Sequence, residues 1–447
     1  MRRWSAGGLC LLIALMAVLG VAALDPEWRA AVALSMTEGN LADSLKRPEF
    51  WGVEYGFIGA HLAAGRGFSG PYPDVAEATA VMPPLLPMLF GAVFAFAGHQ
   101  TIAGFLLLLI IRVIVLGLGF WCLDRCAVEL GGGGARQRLA LAGIAALLIL
   151  VFAPRQLLFL VYDEWFLFGT VAFCLLSALR LLRGPRVPTW RSTLVWGAAL
   201  GAMALTQPIV AFALGCAMIA AAPRVQWPRL LAALGVAALL LVPWAVRNTV
   251  RFGSPFTIKS TLFFELYYGT LVSPQGIHRE EEVMTGGRHP FSPGPEHEHA
   301  MALGETAYFA EKRDLFMQSL RRSPGLYLAK VAYRVAYVTV LFPFSRVHQD
   351  YFSPVVPAAV KYALYPVPFL AAIACWRLRP DRRRELTFLV LCYGAFLLPY
   401  VLIHFWLRYW VQILPVHILL VFIALRQAAA GFSRTRRPAP PHSRAGA

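Results

Sequence analysis

Two residues that could act together in acid–base chemistry lie in the first polar stretch of the sequence. Glu54 and His61 are about two helical turns apart, so a helix over about 51–64 would carry both on one face. Gly65 and Gly67 would end that helix. Because a carboxylate can take a proton from a hydroxyl group, Glu54 is the first candidate for a catalytic base, with His61 in support. The alternative is a solvated charge on a loop helix.

A second pair of acids, Asp163 and Glu164, stands at the start of an apolar run. Carboxylates at such a boundary are costly if they face lipid, so we expect them to face water or a cavity and to support the base or orient an acceptor. Tyr162 and Trp165 flank the pair and suit an interfacial aromatic belt. The acids would also complement the positive end of a helix dipole, and this explanation stays open.

Three arginines are candidates for binding a phosphate group. Arg247 and Arg251 lie four residues apart on one helical face, with Asn248 between them, and two guanidinium groups suit a phosphate clamp. Snorkelling to lipid head groups is the alternative. Arg408 precedes Tyr409 in an aromatic segment that could stack on a sugar, or could form an aromatic belt with an anchoring arginine.

Other polar features of the sequence are weaker signals. Tyr55 and Glu305 are further candidates in the same outer loops. The tract 296–299 alternates Glu and His without the helical spacing of a zinc site, and it predicts a solvated loop. The sequence contains no Walker motif and no dinucleotide fingerprint, so it shows no nucleotide-binding element. Because all seven cysteines lie in or beside apolar runs, we predict no disulfide.

Membrane helices must position these residues. Of the 447 residues, 58% are hydrophobic and 15% are charged, which exceeds the apolar content of a water-soluble core and predicts an all-α polytopic membrane protein with about 10–12 membrane helices. A crossing needs about 20 apolar residues. Ten runs fit: 8–24, 101–123, 139–158, 165–182, 192–206, 208–222, 229–246, 357–376, 385–402 and 411–426.

The distribution of positive charge predicts the topology and argues against nucleic acid as a partner. The net charge is +17, but 21 of the 41 Lys and Arg residues fall in six short segments between apolar runs or at the termini. The positive-inside rule places these segments and both termini in the cytoplasm. The runs 83–98 and 324–344 must then be re-entrant or interfacial, because crossing by both would reverse the segments between them.

The predicted organisation is one transmembrane domain over 1–426, with large outer loops at 25–100 and 247–356. The basic, proline-containing segment 427–447 predicts a disordered cytoplasmic tail. The first run, 8–24, follows two arginines as a signal peptide would, but no cleavage site is evident, so we expect an uncleaved first span.

The order of several short motifs resembles the membrane-embedded GT-C glycosyltransferases, the class of the protein O-mannosyltransferases and the lipid A aminoarabinose transferases, and particularly their bacterial relatives. Each motif is loose, and the set is silent on the sugar. The motifs, spread over most of the chain, are Glu54-Tyr55, Gly65-Arg66-Gly67-Phe68-Ser69, Met82-Pro83-Pro84-Leu85-Leu86-Pro87, Phe96-Ala97-Gly98, Pro243-Trp244, Arg247-Asn248, Phe252-Gly253, Gly304-Glu305 with Tyr308, and Arg408-Tyr409.

This resemblance implies a GT-C-like helix bundle in a bacterial cytoplasmic membrane. It implies inverting transfer of a sugar from a polyprenyl-phosphate-linked donor to a lipid, glycan or protein acceptor at the outer face. It assigns the catalytic acidic residue, which acts as the base, to Glu54. Many relatives carry an Asp-Glu pair there, whereas a lone Glu54 follows Trp51-Gly52-Val53 here. The departure leaves open whether a divalent metal is used and whether this member is active.

Two other classes of protein also fit the apolar runs and outer arginines. A transporter or flippase for a lipid-linked substrate would carry charges near mid-membrane and show internal repeats. Within the predicted spans, Arg112 is the one deeply placed ionisable residue, and no repeat is evident. A non-catalytic assembly subunit would keep the spans and tolerate changes in the polar outer residues.

Overall fold

The computed structural model describes residues 51, 53–71, 77–152, 163–183, 189–253, 258–277, 288–290, 294–341, 357–377 and 383–435. Within these ranges the regular structure is helical, and pairing between extended segments is limited to two isolated bridges, Ser69 with Ala78 and Ile277 with Phe405. The predicted first span 8–24 and the side chain of Tyr162 lie outside the described residues. The predicted all-α class is confirmed.

Seventeen α-helices can be numbered along the described chain. They are α1 Val53–Ala63, α2 Leu85–Ala97, α3 Ile102–Glu129, α4 Ala135–Phe152, α5 Glu164–Arg183, α6 Trp190–Ala204, α7 Pro208–Ala221, α8 Trp227–Phe252, α9 Leu262–Tyr267, α10 Pro295–Leu303, α11 Glu305–Arg322, α12 Pro324–Ala336, α13 Ala358–Leu364, α14 Val367–Arg377, α15 Arg383–Leu402, α16 Leu407–Gln412 and α17 Leu414–Thr435. A 3₁₀ turn precedes α8, and short π-helices follow α9 and α12.

Six helical segments in the described chain are long and apolar enough to cross a membrane, so the chain is a polytopic membrane protein. They are Ile102–Glu129, Ala135–Phe152, Glu164–Arg183, Arg224–Phe252, Ala359–Arg377 and Arg384–Leu402. The predicted spans 192–206 and 208–222 form helices of 15 and 14 residues, which are shorter than the about 20 residues of a full crossing. Most of the predicted span 411–426 lies in α17, whose apolar part Leu414–Ala430 is a shorter helix, while residues 411 and 412 end α16. Neither 83–98 nor 324–344 is among the six.

The last helix extends further than the sequence predicts. Helix α17 continues to Thr435, so the prediction of a disordered tail is wrong for residues 427–435. The segment Gln427-Ala428-Ala429-Ala430 explains the extension, because alanine and glutamine have high helix propensity and lengthen the apolar helix that precedes them. Residues 436–447 lie outside the described residues.

Close helix packing builds the membrane part. Gly197 and Gly201 on α6 lie one turn apart and face α8. A Cβ atom added at Gly197 would lie 2.5 Å from the carbonyl oxygen of Ala233, and one at Gly201 would lie 3.1 Å from the Cα of Ala237. Two small residues at this spacing let helix backbones approach, which gives the van der Waals contact that drives association inside a bilayer.

Alternating helices give the molecule two distinct ends. At one end, α5 begins at Glu164, the turn between α6 and α7 lies near Gln207, and α15 ends at Leu402. We name this the cavity end. At the other end, α3 finishes at Glu129 and α5 finishes at Arg183, and we name this the basic end. All the proposed site residues belong to segments at the cavity end.

Candidate active site

A cavity of about 650 Å³ opens at the cavity end. Its wall is assembled from seven separate parts of the chain: α1, the loop before α2, Asp163 at the start of α5, the α6–α7 turn, the segment 258–265, α11 and the segment 400–409. Much of the lining is apolar, as at Ile258, Leu262 and Phe263, and a few charged groups converge on it. This combination of an apolar wall and few polar groups is typical of a ligand site.

A buried cluster of one guanidinium group and two carboxylates forms the deepest charged part of the site. Arg408 Nη2 lies 3.9 Å from Asp163 Oδ1, and Arg408 Nε lies 3.7 Å from Glu164 Oε1. The side chains of Asp163 and Glu164 are 3% and 0% exposed, and that of Arg408 is 17% exposed. Tyr55 donates a hydrogen bond of 3.1 Å to Asp163 Oδ2. Residues from α1, α5 and α16 therefore meet at one point.

The start of α5 holds the two acids in different surroundings. The carbonyl of Asp163 accepts hydrogen bonds from the amides of Phe166 and Leu167, which places Asp163 at the helix N-cap. Its carboxylate nonetheless turns to Tyr55 and lines the cavity. Both explanations given for this pair hold, since the acids stand at a helix N-terminus and Asp163 also faces a cavity.

Electrostatics sets the protonation tendencies around the cluster. Burial alone would lower the pKa of Arg408, but the charges of Glu164 and Asp163 outweigh it and raise that pKa well above its usual value. Burial, together with the charge of Asp163, raises the pKa of Tyr55 well above its usual value. Arg408 therefore stays charged, and Tyr55 stays a neutral hydrogen-bond donor.

Glu54 lies next to the cluster but not in the cavity wall. It is partly buried in the first turn of α1, and burial raises the pKa of its carboxyl group against the opposing charges of Arg408 and Lys259. The cavity wall itself contains its neighbour Tyr55. A carboxyl group with a raised pKa is a better base near neutral pH than an ordinary solvated one.

A second polar group of the cavity was not predicted from the sequence. Lys259 Nζ lies 3.9 Å from a carboxylate oxygen of Glu265, and His404 Nδ1 lies 3.5 Å from the other. His404 Nε2 is 3.3 Å from the hydroxyl of Tyr409, which stacks on Tyr400 at 4.5 Å. The signal that could have revealed this group is Glu265 itself, an acid inside an apolar helix.

Glu305 joins two loops at the cavity end and lies between two cavities. Its carboxylate accepts hydrogen bonds from Ser260 Oγ at 2.7 Å, Thr79 Oγ1 at 2.7 Å and the Ala80 amide at 2.9 Å. It lines both the large cavity and a smaller one of about 350 Å³. Burial raises its pKa, while these hydrogen bonds lower it. Its three bonds to two loops make it primarily a positioning residue.

The prediction of a phosphate clamp at Arg247 and Arg251 is corrected by the structure. Arg247 donates to the carbonyls of Thr79 at 2.7 Å and Phe68 at 2.8 Å, and to Asn248 Oδ1 at 2.9 Å. Its guanidinium group thus holds the loop of Phe68 and Thr79 against α8 and does not line the large cavity. Asn248 is buried as its partner, while Arg251 is exposed.

The predicted partnership of Glu54 and His61 is also corrected. Helix α1 forms as predicted, and Gly65 and Gly67 follow it with φ of 72° and 77°. His61 Nδ1, however, lies 3.0 Å from Ser69 Oγ. Its imidazole therefore stabilises the turn after α1 and is not part of the cavity wall.

The tract of Glu and His at 296–299 is helical and not a loop as predicted. It lies in α10, where Glu296 forms a 2.6 Å ion pair with Lys312 and accepts a 2.8 Å bond from the Tyr308 hydroxyl. His299 Nε2 is 2.8 Å from Glu311. Across the part of the chain that the structure describes, no group of three or more His, Cys, Asp or Glu side chains is arranged to hold a metal ion.

Comparison with known proteins adds no relative. No protein-family model, curated protein or solved structure matches this chain.

Proposed function

We propose that this chain is a membrane-embedded glycosyltransferase that takes a sugar from a polyprenyl-phosphate-linked donor. One observation carries the proposal. Arg408 lies in the wall of a largely apolar cavity at the ends of membrane helices, between Asp163 and Glu164 and close to the carboxylate of Glu54. An apolar wall suits the first units of a prenyl chain, and a fixed guanidinium group suits its phosphate.

Each charged residue has a role in the proposed transfer, and Glu54 acts from beside the cavity wall, next to Tyr55. Glu54 takes the proton from the acceptor hydroxyl, whose oxygen then bonds to the anomeric carbon from the face opposite the phosphate. The bond between that carbon and the phosphate oxygen breaks, and the electron pair stays on the phosphate. Arg408 and Lys259, both in the cavity wall, stabilise the developing negative charge. The product is an inverted glycoside, with polyprenyl phosphate as the leaving group.

Asp163 and Glu164 position the reacting groups. Their two carboxylates fix Arg408 from one side, and Asp163 also orients Tyr55. The contacts of Asp163 and Glu164 with Arg408 give these two carboxylates a positioning role, and Glu54, outside that pair, is the proposed base. The acceptor is a lipid, glycan or protein hydroxyl, and the cavity end lies at the outer face of a bacterial cytoplasmic membrane, with the basic segments and both termini inside.

The test measures transfer by the purified full-length chain from a set of polyprenyl-phosphate sugars. We expect Glu54→Gln to lower the transfer rate about 10²–10⁴-fold, the usual contribution of a general base. The conservative change His61→Gln serves as the matched control in the same helix and should keep most of the rate. A Glu54→Gln variant that transfers at the wild-type rate would exclude Glu54 as the base. Binding without transfer by the wild-type chain would favour a transporter, and absence of both binding and transfer would favour an assembly subunit.

A further inference from the structure

A groove lined by three arginines runs along the exposed side of α11. The groove encloses about 560 Å³ and is lined by Phe263, Arg313, Asp314, Met317, Gln318, Arg321 and Arg322. Residues four apart on a helix lie above one another, so these side chains form two adjacent rows on one face of α11. We name this feature the arginine groove.

The arginine groove carries more positive charge than its own acid can offset. Arg313 Nε lies 3.0 Å from Asp314, but both side chains are at least half exposed, so water weakens that pair. Arg321 and Arg322 are exposed, and neither forms an ion pair within the described part of the chain. Two adjacent guanidinium groups are thus available to an anion, and each presents several donors in a fixed plane.

The neighbouring helix α12 presents an apolar face to the surroundings. One face of α12 is tied to the protein, since Arg334 donates to the carbonyls of Val401 and Leu402. A different face exposes Leu328 and Val335, which are 62% and 44% exposed and lie two helical turns apart. An amphipathic helix with exposed leucine and valine, anchored at the end of membrane helix α15, is suited to the membrane interface.

We propose that the arginine groove binds the phosphate head group of an anionic phospholipid while the exposed face of α12 contacts its acyl chains. Cations at the lipid head-group level are attracted to anionic lipid. Two adjacent arginines next to an apolar helix face can therefore contact both the phosphate head group and the acyl chains of one phospholipid. The groove also shares Phe263 and Arg313 with the large cavity, so a bound lipid would lie at its rim. The proposal does not depend on transfer activity.

The test measures the affinity of the purified full-length chain, in neutral detergent, for phosphatidylglycerol with a fluorescent acyl chain. Phosphatidylcholine with the same chain serves as the neutral reference. We expect wild type to prefer phosphatidylglycerol about tenfold, and the double change Arg321→Gln/Arg322→Gln to remove that preference. Both side chains are exposed, so the melting temperature should stay within a few degrees.

A matched control separates the groove from net charge. The double change Arg66→Gln/Arg251→Gln removes the same charge from two exposed arginines at the cavity end that do not line the groove, and it should keep the preference. Three results would overturn the proposal: an unchanged preference in the groove variant, an equal loss in the control pair, or full displacement of phosphatidylglycerol by millimolar inorganic phosphate. The last result would indicate a site for free phosphate instead of lipid.

Discussion

The two ends of the molecule use arginine in different ways. At the basic end, arginines pair with carboxylates: Arg138 binds Asp124 through two nitrogens at 2.5 and 2.7 Å, and Arg183 contacts both Glu129 and Glu385. At the cavity end, the hydrogen bonds of Arg247 and Arg334 go largely to backbone carbonyls.

This difference determines where carboxylates remain for chemistry. Arg247 and Arg334 are held by carbonyl oxygens, so Arg408 is the guanidinium group that lies beside Asp163 and Glu164. Glu54 lies within the influence of both Arg408 and Lys259. Its contacts to the two acids, at 3.9 and 3.7 Å, are longer than hydrogen bonds. The basic end has the short Arg138–Asp124 pair, whereas the cavity end keeps its charges spaced around a cavity.

The largest expected effect on stability is at Arg334. This fully buried guanidinium donates to the carbonyls of Val401 at 2.7 Å, Leu402 at 2.9 Å and Gly269 at 3.1 Å. Arg334→Met would leave three acceptors without that donor, so we expect a loss of about 3 kcal/mol or more, measured by unfolding in detergent. The stability of Arg334→Lys should fall between that of Arg334→Met and that of wild type. If Arg334→Met is as stable as wild type, the hydrogen bonds of Arg334 to backbone carbonyls do not stabilise the cavity end.

A smaller loss is expected at Arg247. Arg247→Leu removes the bonds that hold the loop of Phe68 and Thr79, and we expect it to cost about 2 kcal/mol. The exposed neighbour Arg251 provides the control, since Arg251→Leu should change stability by about 0.5 kcal/mol or less. Equal losses at the two positions would show that the carbonyl contacts of Arg247 contribute nothing particular.

The basic end should respond less to the loss of a single pair. Asp124→Asn weakens the bidentate contact with Arg138, whose side chain is 38% exposed, so solvent screening limits the expected loss to about 1 kcal/mol. The same variant should bind polyprenyl phosphate as wild type does. Weaker binding in Asp124→Asn would mean that the two ends are coupled.

The smallest effect concerns pH. Because the pKa of Glu54 is raised from 4.5 by burial, the folded state favours its protonated form, and the resulting stability is present below pH 4.5 and is lost as pH rises through the folded-state pKa. Glu54→Gln should therefore be the more stable protein at neutral pH, and this advantage should shrink on acidification. Melting curves of wild type and Glu54→Gln from below pH 4.5 to neutral pH measure this stability difference. A difference that does not change with pH would contradict the burial of this carboxyl group.

The sequence predicts the helical class and several members of the site, because these depend on composition and on local periodicity. Helix α1, its glycine stop and the acids at the start of α5 follow from short-range patterns. Asp163, Glu164 and Arg408 are each recognisable as polar residues at span boundaries. Their meeting at one point is not, since Arg408 is more than 200 residues away along the chain.

The errors have a common physical origin. The spacing of Arg247 and Arg251 describes one helix face correctly, but it contains no information about the carbonyls of Phe68 and Thr79, which reach Arg247 from a distant loop. In the same way, the pattern at 296–299 does not reveal Lys312, which pairs with Glu296 and helps to order α10. Partners that are distant in sequence decide which charges are structural and which remain for the cavity.

The most direct test of the central claim is the affinity of the purified chain for polyprenyl phosphate with and without the guanidinium group of Arg408. We expect Arg408→Gln to weaken binding about 100-fold, and Arg408→Lys, which keeps the charge but loses the planar fork, about tenfold. The lysine variant, which leaves Asp163 and Glu164 with a cation, keeps the measurement interpretable should the glutamine variant unfold. Affinities within twofold of wild type in a folded variant of each kind would contradict the account.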